Sequence, residues 1–223
     1  MKNFPILFFS WLFTAILTYG QEKHLKLLEL GDSYTAATSE SFNNGWPFQL
    51  IAYLEKKDLE FEAPKVIAGA GWTTSKLLEE IEKEKTDNYH DLVFLMIGVN
   101  NQYRGLPKEE FQKDFSELLE KSIVYANGKA SRTYVVSIPD WGVTPFAKFK
   151  NSKKIAREID EFNTLMQKSS TKMGVHYIDV TKSSKNMAVQ PSLIASDSLH
   201  PSKRMYKIWA KKMAKIVTKN YKP

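Results

Sequence analysis

Short apolar runs rich in β-branched and aromatic residues alternate along this chain with longer stretches in which apolar positions recur every three or four residues. The first pattern fits strands and the second helices, so the alternation predicts successive βα units around a parallel sheet. The predicted strands cover residues 25–30, 64–68, 92–97, 133–138 and 175–180, and the third of these is apolar without interruption, as a strand covered on both faces must be. A helix near 47–56 has Pro47 in its first turn and sends Phe48, Ile51, Tyr53 and Leu54 to the core. Thr73 or Thr74 can cap the next, which carries Leu77, Leu78 and Ile81. Pro107 opens a third with Phe111, Phe115, Leu118, Leu119 and Ile123 in one stripe. A fourth near 152–173 buries Ile155, Ile159, Phe162 and Met166, and a last over 203–222 carries Met205, Ile208, Trp209, Met213 and Ile216. Right-handed crossovers between five such units give a three-layer α/β/α sandwich, and no internal repeat or linker interrupts it.

Residues 1–20 follow a different pattern. Lys2 precedes an apolar, uncharged run from Pro5 to Leu17, and Thr18-Tyr19-Gly20 offers small residues for cleavage before Gln21. That run is shorter than the roughly 20 residues that span a bilayer, so it reads as a secretory signal peptide. Residues 21–223 are then a single exported domain, periplasmic or extracellular, with no stable membrane insertion once the signal is removed.

Composition narrows the chemistry. With 223 residues, 43% of them apolar and 26% charged, the chain has material for one well-buried core. Cysteine is absent, which rules out a disulfide framework, a lipid-modified cysteine and zinc–thiolate sites. The formal charge of +7 is spread along the chain and densest in the C-terminal helix. A docked amphipathic helix with a solvated basic face accounts for that density; attraction to anionic envelope polymers or lipids is the other reading. Nucleic acid is not expected as a partner, because aromatic and basic residues are not interleaved.

Four segments carry candidate chemistry, each at the carboxyl end of a predicted strand or beside it, where open α/β sheets bind ligands. Gly31-Asp32-Ser33-Tyr34 sets a hydroxyl on a tight turn, although Gly-Asp-Ser taken alone is ordinary turn composition. Asp197-Ser198-Leu199-His200-Pro201 spaces a carboxylate and an imidazole three residues apart, which one helical turn would put on one face. Asp197 can then hold one ring nitrogen of His200 while the other accepts the Ser33 proton; the competing reading is a capping aspartate beside an unrelated histidine. Gly71 can bring a backbone N–H close to a substrate, and Asn100 in Gly98-Val99-Asn100-Asn101 offers a side-chain amide, so both are candidate donors to a developing oxyanion as well as plain turn residues.

Taken together, the blocks GDSY, GAGWTT, GVNN and DSLHP, in that order, resemble the SGNH (GDSL) hydrolase family over residues 25–217. The resemblance implies a flavodoxin-like five-stranded parallel sheet of order 2-1-3-4-5. It implies a serine esterase or acylhydrolase with Ser33 as nucleophile, His200 as base and Asp197 as its partner. The oxyanion hole would be formed by the Ser33 backbone N–H, Gly71 and Asn100, with no cofactor and no metal. Two positions depart from the family pattern. Asn101 stands where many members carry aspartate, and Trp72 stands where many have a small or acidic residue, either narrowing the acyl pocket or packing on a helix.

The remaining histidines fit the role of base poorly. His24 and His90 lie before strands, at the wrong edge of the sheet, and His176 opens the last strand. No two histidines have metal-ligand spacing on one helix. The expected substrate is a small-molecule or glycan acyl ester, with short acyl groups on carbohydrate favoured, and Tyr34, Trp72, Tyr103 and Trp141 are candidate binding residues. The loop over residues 140–149 is the candidate for substrate selection. A noncatalytic glycan-binding protein using Tyr103, Trp141 and Phe146, and a lysophospholipase or thioesterase, are the alternatives.

Overall fold

A computed structural model describes residues 24–87 and 89–221. The signal peptide expected over 1–20 and the last residue of the predicted C-terminal helix lie outside the described residues. Five parallel strands, β1 (Leu27–Gly31), β2 (Lys65–Ala68), β3 (Leu92–Met96), β4 (Thr133–Val136) and β5 (His176–Ile178), pair in the order β2-β1-β3-β4-β5. β1 and β3 are buried along their whole length. Register aligns Glu29 with Phe94 and Gly31 with Met96, so the last residues of β1 and β3 end side by side. The chain runs outward from β1 to β2 and then back past β1 to β3. Their carboxyl ends therefore form the crevice where strand order reverses.

Among the described residues, seven α-helices connect and cover these strands: α1 (Trp46–Leu54), α2 (Thr74–Glu84), α3 (Val99–Tyr103), α4 (Lys108–Tyr125), α5 (Ser152–Lys172), α6 (Thr181–Ser184) and α7 (Lys203–Asn220). α1 and α7 pack on each other over one face of the sheet, and α4 packs between α2 and α5 over the other. Thr73 is the cap of α2, its hydroxyl accepting from the Lys76 N–H at 3.3 Å, while Thr74 is buried inside the first turn.

Two helices bury a set that differs in part from the one the sequence pattern suggests. In α1 the buried set is Trp46, Pro47, Leu50, Ile51 and Leu54, which recur at helical spacing. Tyr53 lies at the edge of that stripe, partly buried against the core, whereas Phe48 falls off it and is half-buried against the exposed ring of Phe42, at 4.9 Å. In α7 Tyr206 and Val217 join Met205, Trp209 and Met213 inside, whereas Ile208 points outward among the lysines. The predicted β5 shrinks to three residues because a side chain takes over its ladder. Ser137 Oγ accepts from the N–H groups of Val180 (2.8 Å) and Thr181 (3.1 Å), and the chain turns there into α6. Among the described residues, no helix is long and apolar enough to cross a membrane.

Candidate active site

The turn after β1 places Ser33 at the crevice. Asp32 Oδ1 accepts from the Tyr34 N–H at 3.0 Å, and the Thr35 and Ala36 N–H groups bond to the Asp32 carbonyl, so the turn is fixed on both sides of the serine. Gly31 is required here, since a Cβ would lie 2.3 Å from Thr35 Oγ1 and 2.6 Å from the Met96 carbonyl oxygen. Ser33 Oγ lies 2.9 Å from His200 Nε2, and His200 Nδ1 meets Asp197 Oδ2. The structure thus joins three residues from distant stretches of chain in one hydrogen-bonded line. Ser33 and His200 are buried, and the edge of the Tyr34 ring closes over His200 with centroids 5.4 Å apart.

The three-residue spacing of Asp197 and His200 works through a turn and not a helix. Ser198 has a left-handed backbone with φ of 65°, and Asp197 Oδ1 accepts from the N–H groups of Leu199 and His200, each at 2.9 Å. The carboxylate therefore folds the chain around itself and delivers the ring to its other oxygen. Burial pushes the Asp197 carboxyl up. The Ser39 hydroxyl, the His200 ring and the two backbone donors outweigh that effect and hold it well below the usual carboxylate range.

The oxyanion candidates are assembled by α3. Asn100 Nδ2 donates to the Trp72 carbonyl at 2.9 Å, which aims the amide and leaves its second hydrogen available. Arg104, the residue after α3, donates from Nη2 to the Gly71 carbonyl at 2.6 Å. Gly71 has φ of 76°, a conformation suited to glycine. Asn101 fills the position noted as a departure: its Oδ1 accepts from the Thr74 N–H (3.1 Å), and its Nδ2 donates to Thr74 Oγ1 (2.8 Å), which in turn donates to Asp114 (3.0 Å). The amide suits this place because Thr74 Oγ1, having given its proton to Asp114, needs a donor that a carboxylate could not supply. Two successive carbonyls and the start of α2 are thus held by α3 and its end.

Ser33, Gly71 and Asn100 open into one cavity of about 200 Å³ with Tyr34, Ala70, Val99, Tyr103, Trp141, Phe146, Leu199 and His200. Trp72 is not in this lining. Its indole covers Gly69, where a Cβ would lie 2.2 Å from the ring, so it packs against the strand end instead of narrowing the pocket. Tyr103, Trp141 and Phe146 form an aromatic wall with centroids 5.4, 6.3 and 6.0 Å apart. Trp141 is fixed from behind: Nε1 donates to Gln102 Oε1 at 2.8 Å, and Gln102 Nε2 donates to Glu158 at 2.9 Å. The Phe146 N–H bonds to the Ser198 carbonyl at 3.0 Å, tying the wall to the turn that carries His200.

The other histidines lie elsewhere. His90 is buried before β3, its imidazole pushed down by burial; His176 stacks on Tyr134 at 4.9 Å; His24 is exposed beside Glu60. Among the described residues, no three His, Asp or Glu side chains gather where they could hold a metal ion. Sequence reasoning did not single out Ser39, Gln102 or Arg104. Their partners lie 158, 39 and 33 residues away, and no spacing rule links them.

Comparison with known proteins finds the same fold in solved structures. The fold is similar to the psychrotrophic esterase EstA from Pseudoalteromonas sp., at 20% identity and a TM-score of 0.67, covering 87% of this chain and 97% of that one. A lipase/acylhydrolase from Enterococcus faecalis matches at 21% identity and a TM-score of 0.64, covering 89% and 98%. The acetyl xylan esterase AlAXEase matches at 19% and 0.67, covering 86% and 100%. Identities this low carry the fold alone. No curated protein matches the chain. The sequence model of the GDSL-like lipase/acylhydrolase family matches residues 30–208, from the end of β1 into α7, and the chain belongs to that family.

Proposed function

We propose that this protein is an exported serine hydrolase that cleaves acyl esters through an acyl-enzyme on Ser33, with short acyl groups on carbohydrate as its substrates. The observation that carries the reading is the hydrogen-bonded line from Ser33 through His200 to Asp197, opening into a small cavity beside Gly71 and Asn100. In the first step Ser33 Oγ attacks the ester carbonyl while His200 Nε2 takes its proton. Asp197 keeps the ring in the tautomer with hydrogen on Nδ1 and stabilises the imidazolium. The carbonyl oxygen, now negative, faces the Ser33 and Gly71 N–H groups and the free hydrogen of Asn100. Collapse expels the alcohol, which receives the proton from Nε2. Water then enters, gives a proton to the same nitrogen, and releases the acid and the free serine.

Cavity size and lining support a short acyl group: about 200 Å³ bounded by three aromatic rings leaves little room for a long chain. Tyr103 and Phe146, which are 51% and 43% exposed at the mouth, offer faces on which a sugar ring can stack. The acetyl xylan esterase among the structural neighbours is consistent with this reading. Export rests on the sequence of residues 1–20.

Labelling with a fluorophosphonate tests the reading directly. The purified chain should take one label on Ser33, and Ser33→Ala should lose both the label and several powers of ten in turnover with its fold intact. Undiminished hydrolysis of an activated ester by Ser33→Ala would sink the mechanism. A hydrolysis profile over acyl lengths and acetylated sugars then separates carbohydrate deacetylation from lysolipid or thioester cleavage.

A further inference from the structure

The segment from Asp197 to Lys203 carries the proposed base, yet it is a turn-rich stretch that must be held in register with a serine 167 residues away. Two neighbouring residues just beyond the nucleophile reach across to it. Ser39 Oγ donates to Asp197 Oδ2 at 2.6 Å, on the same oxygen that receives His200 Nδ1. Glu40 Oε1 accepts from the Lys203 N–H at 2.8 Å, at the first turn of α7, and Glu40 Oε2 is held by Asn44 Nδ2 at 3.0 Å. The two contacts grip the segment on either side of His200. The backbone that makes this possible is costly, because Ala37 and Ser39 both adopt left-handed φ values, 56° and 69°, that side chains other than glycine seldom take. Strain of this kind persists where the surroundings over-determine it, and it gathers at functional sites.

We infer that Ser39 and Glu40 are positioning residues of the acid–base machinery: Glu40 fixes the segment, and the Ser39 hydroxyl orients the Asp197 carboxylate and shares its charge. This rests on the hydrolase reading above and extends it. Of the four donors around the carboxylate, two are backbone N–H groups committed to Oδ1. Ser39 is thus the only side chain other than the imidazole that acts on Oδ2 among the described residues. Other ionisable groups face the pair from several elements. They are Tyr34 and the buried Asp32 on the nucleophile turn, Asp140 after β4, Glu40 itself, and Tyr206 in the first turns of α7. None of these hydrogen-bonds Asp197 among the described residues.

Ser39→Gly removes the hydroxyl and suits the left-handed backbone, so the fold should be retained. We expect a fall of about tenfold in kcat with KM little changed, the effect of one charge-assisted hydrogen bond. The acidic limb of the kcat/KM profile should move to higher pH, because a protonated ring then faces an oxygen whose charge is no longer shared. Ser39→Asn also tolerates positive φ and restores a donor, and it should recover most of both effects. A packing role alone would move neither the limb nor its recovery. The downfield proton resonance of His200 Nδ1–H gives a readout independent of turnover and should shift in Ser39→Gly. Rate, pH limb and resonance all unchanged would overturn the inference. Fluorophosphonate labelling of the same samples tests the function separately: an unlabelled parent whose resonance still responds to Ser39 would defeat the hydrolase reading and leave the positioning role standing.

Discussion

At the scale of single residues, the amide of Asn100 is the clearest case of a side chain with two duties. One hydrogen is given to the Trp72 carbonyl, and the geometry this imposes points the other into the cavity. On the proposed mechanism, Asn100→Ala should lower kcat by about 10²–10³ with KM little affected, the usual result of losing one oxyanion donor. A change within twofold would take Asn100 out of the site. Ser33, Gly71, Asn100, Asp197 and His200 could be picked out as candidates in the sequence because four short blocks, each an ordinary turn or cap by itself, occur together in the order that resembles the family. Ser39 and Arg104 were not legible, since their roles depend on which carboxylate or carbonyl the fold brings opposite them. Trp72 stayed open for the same reason: a tryptophan beside a candidate oxyanion glycine can wall a pocket or pack away from it, and only the path of the chain shows the indole covering Gly69.

Among elements, the loop after β4 governs the shape of the cavity. Its two short 3-10 turns, Trp141–Val143 and Pro145–Ala147, are fixed by several bonds: Asp140 Oδ1 accepts from the Gly142 N–H at 2.9 Å, Thr144 Oγ1 donates to the Trp141 carbonyl at 2.8 Å, and Gln102 holds the indole. Such a wall is preformed, and on the proposed function it would limit acyl length without needing to close. Of the two rings this loop gives to the wall, Phe146 is the one whose loss costs the fold less, being 43% exposed against 4% for Trp141. Phe146→Ala should shift the preferred ester towards longer acyl chains while the melting temperature stays nearly constant, as read from a chain-length series of activated esters. Preference unaltered by this change would remove the loop from substrate selection. The strand and helix order was readable from periodicity, but strand ends were not. β5 stops early because the Ser137 hydroxyl captures the Val180 and Thr181 N–H groups, a long-range event that a window of apolar residues does not register.

For the molecule as a whole, the core contains carboxyls that the mechanism does not use. Glu29 lies in the middle of β1, in register with Phe94, whose ring packs on Trp46 of α1 at 5.7 Å. It is fully buried, and neither of its oxygens has a hydrogen-bond partner among the described residues. Burial pushes its carboxyl well above the ordinary value of 4.5, and burial likewise raises Asp32 from 3.8 to about 7. Above pH 4.5 the unfolded chain releases the Glu29 proton while the folded chain keeps it. The folded state then binds more protons, and its stability falls as pH rises. Asp32 adds to the same slope between about pH 4 and 7. Two groups act in the opposite sense: the depressed Asp197 contributes stability that is lost as pH drops below about 4, and buried His90 contributes stability that is lost as pH drops below 6.5. The total profile mixes these signs, so the informative quantity is the difference between variant and parent. Glu29→Gln keeps size and polarity but cannot ionise. Its stability relative to the parent should therefore rise steadily from pH 4.5 to 7.5 in denaturant titrations. Parallel curves for the two proteins over that range would mean that Glu29 ionises in the folded state as readily as in the unfolded one.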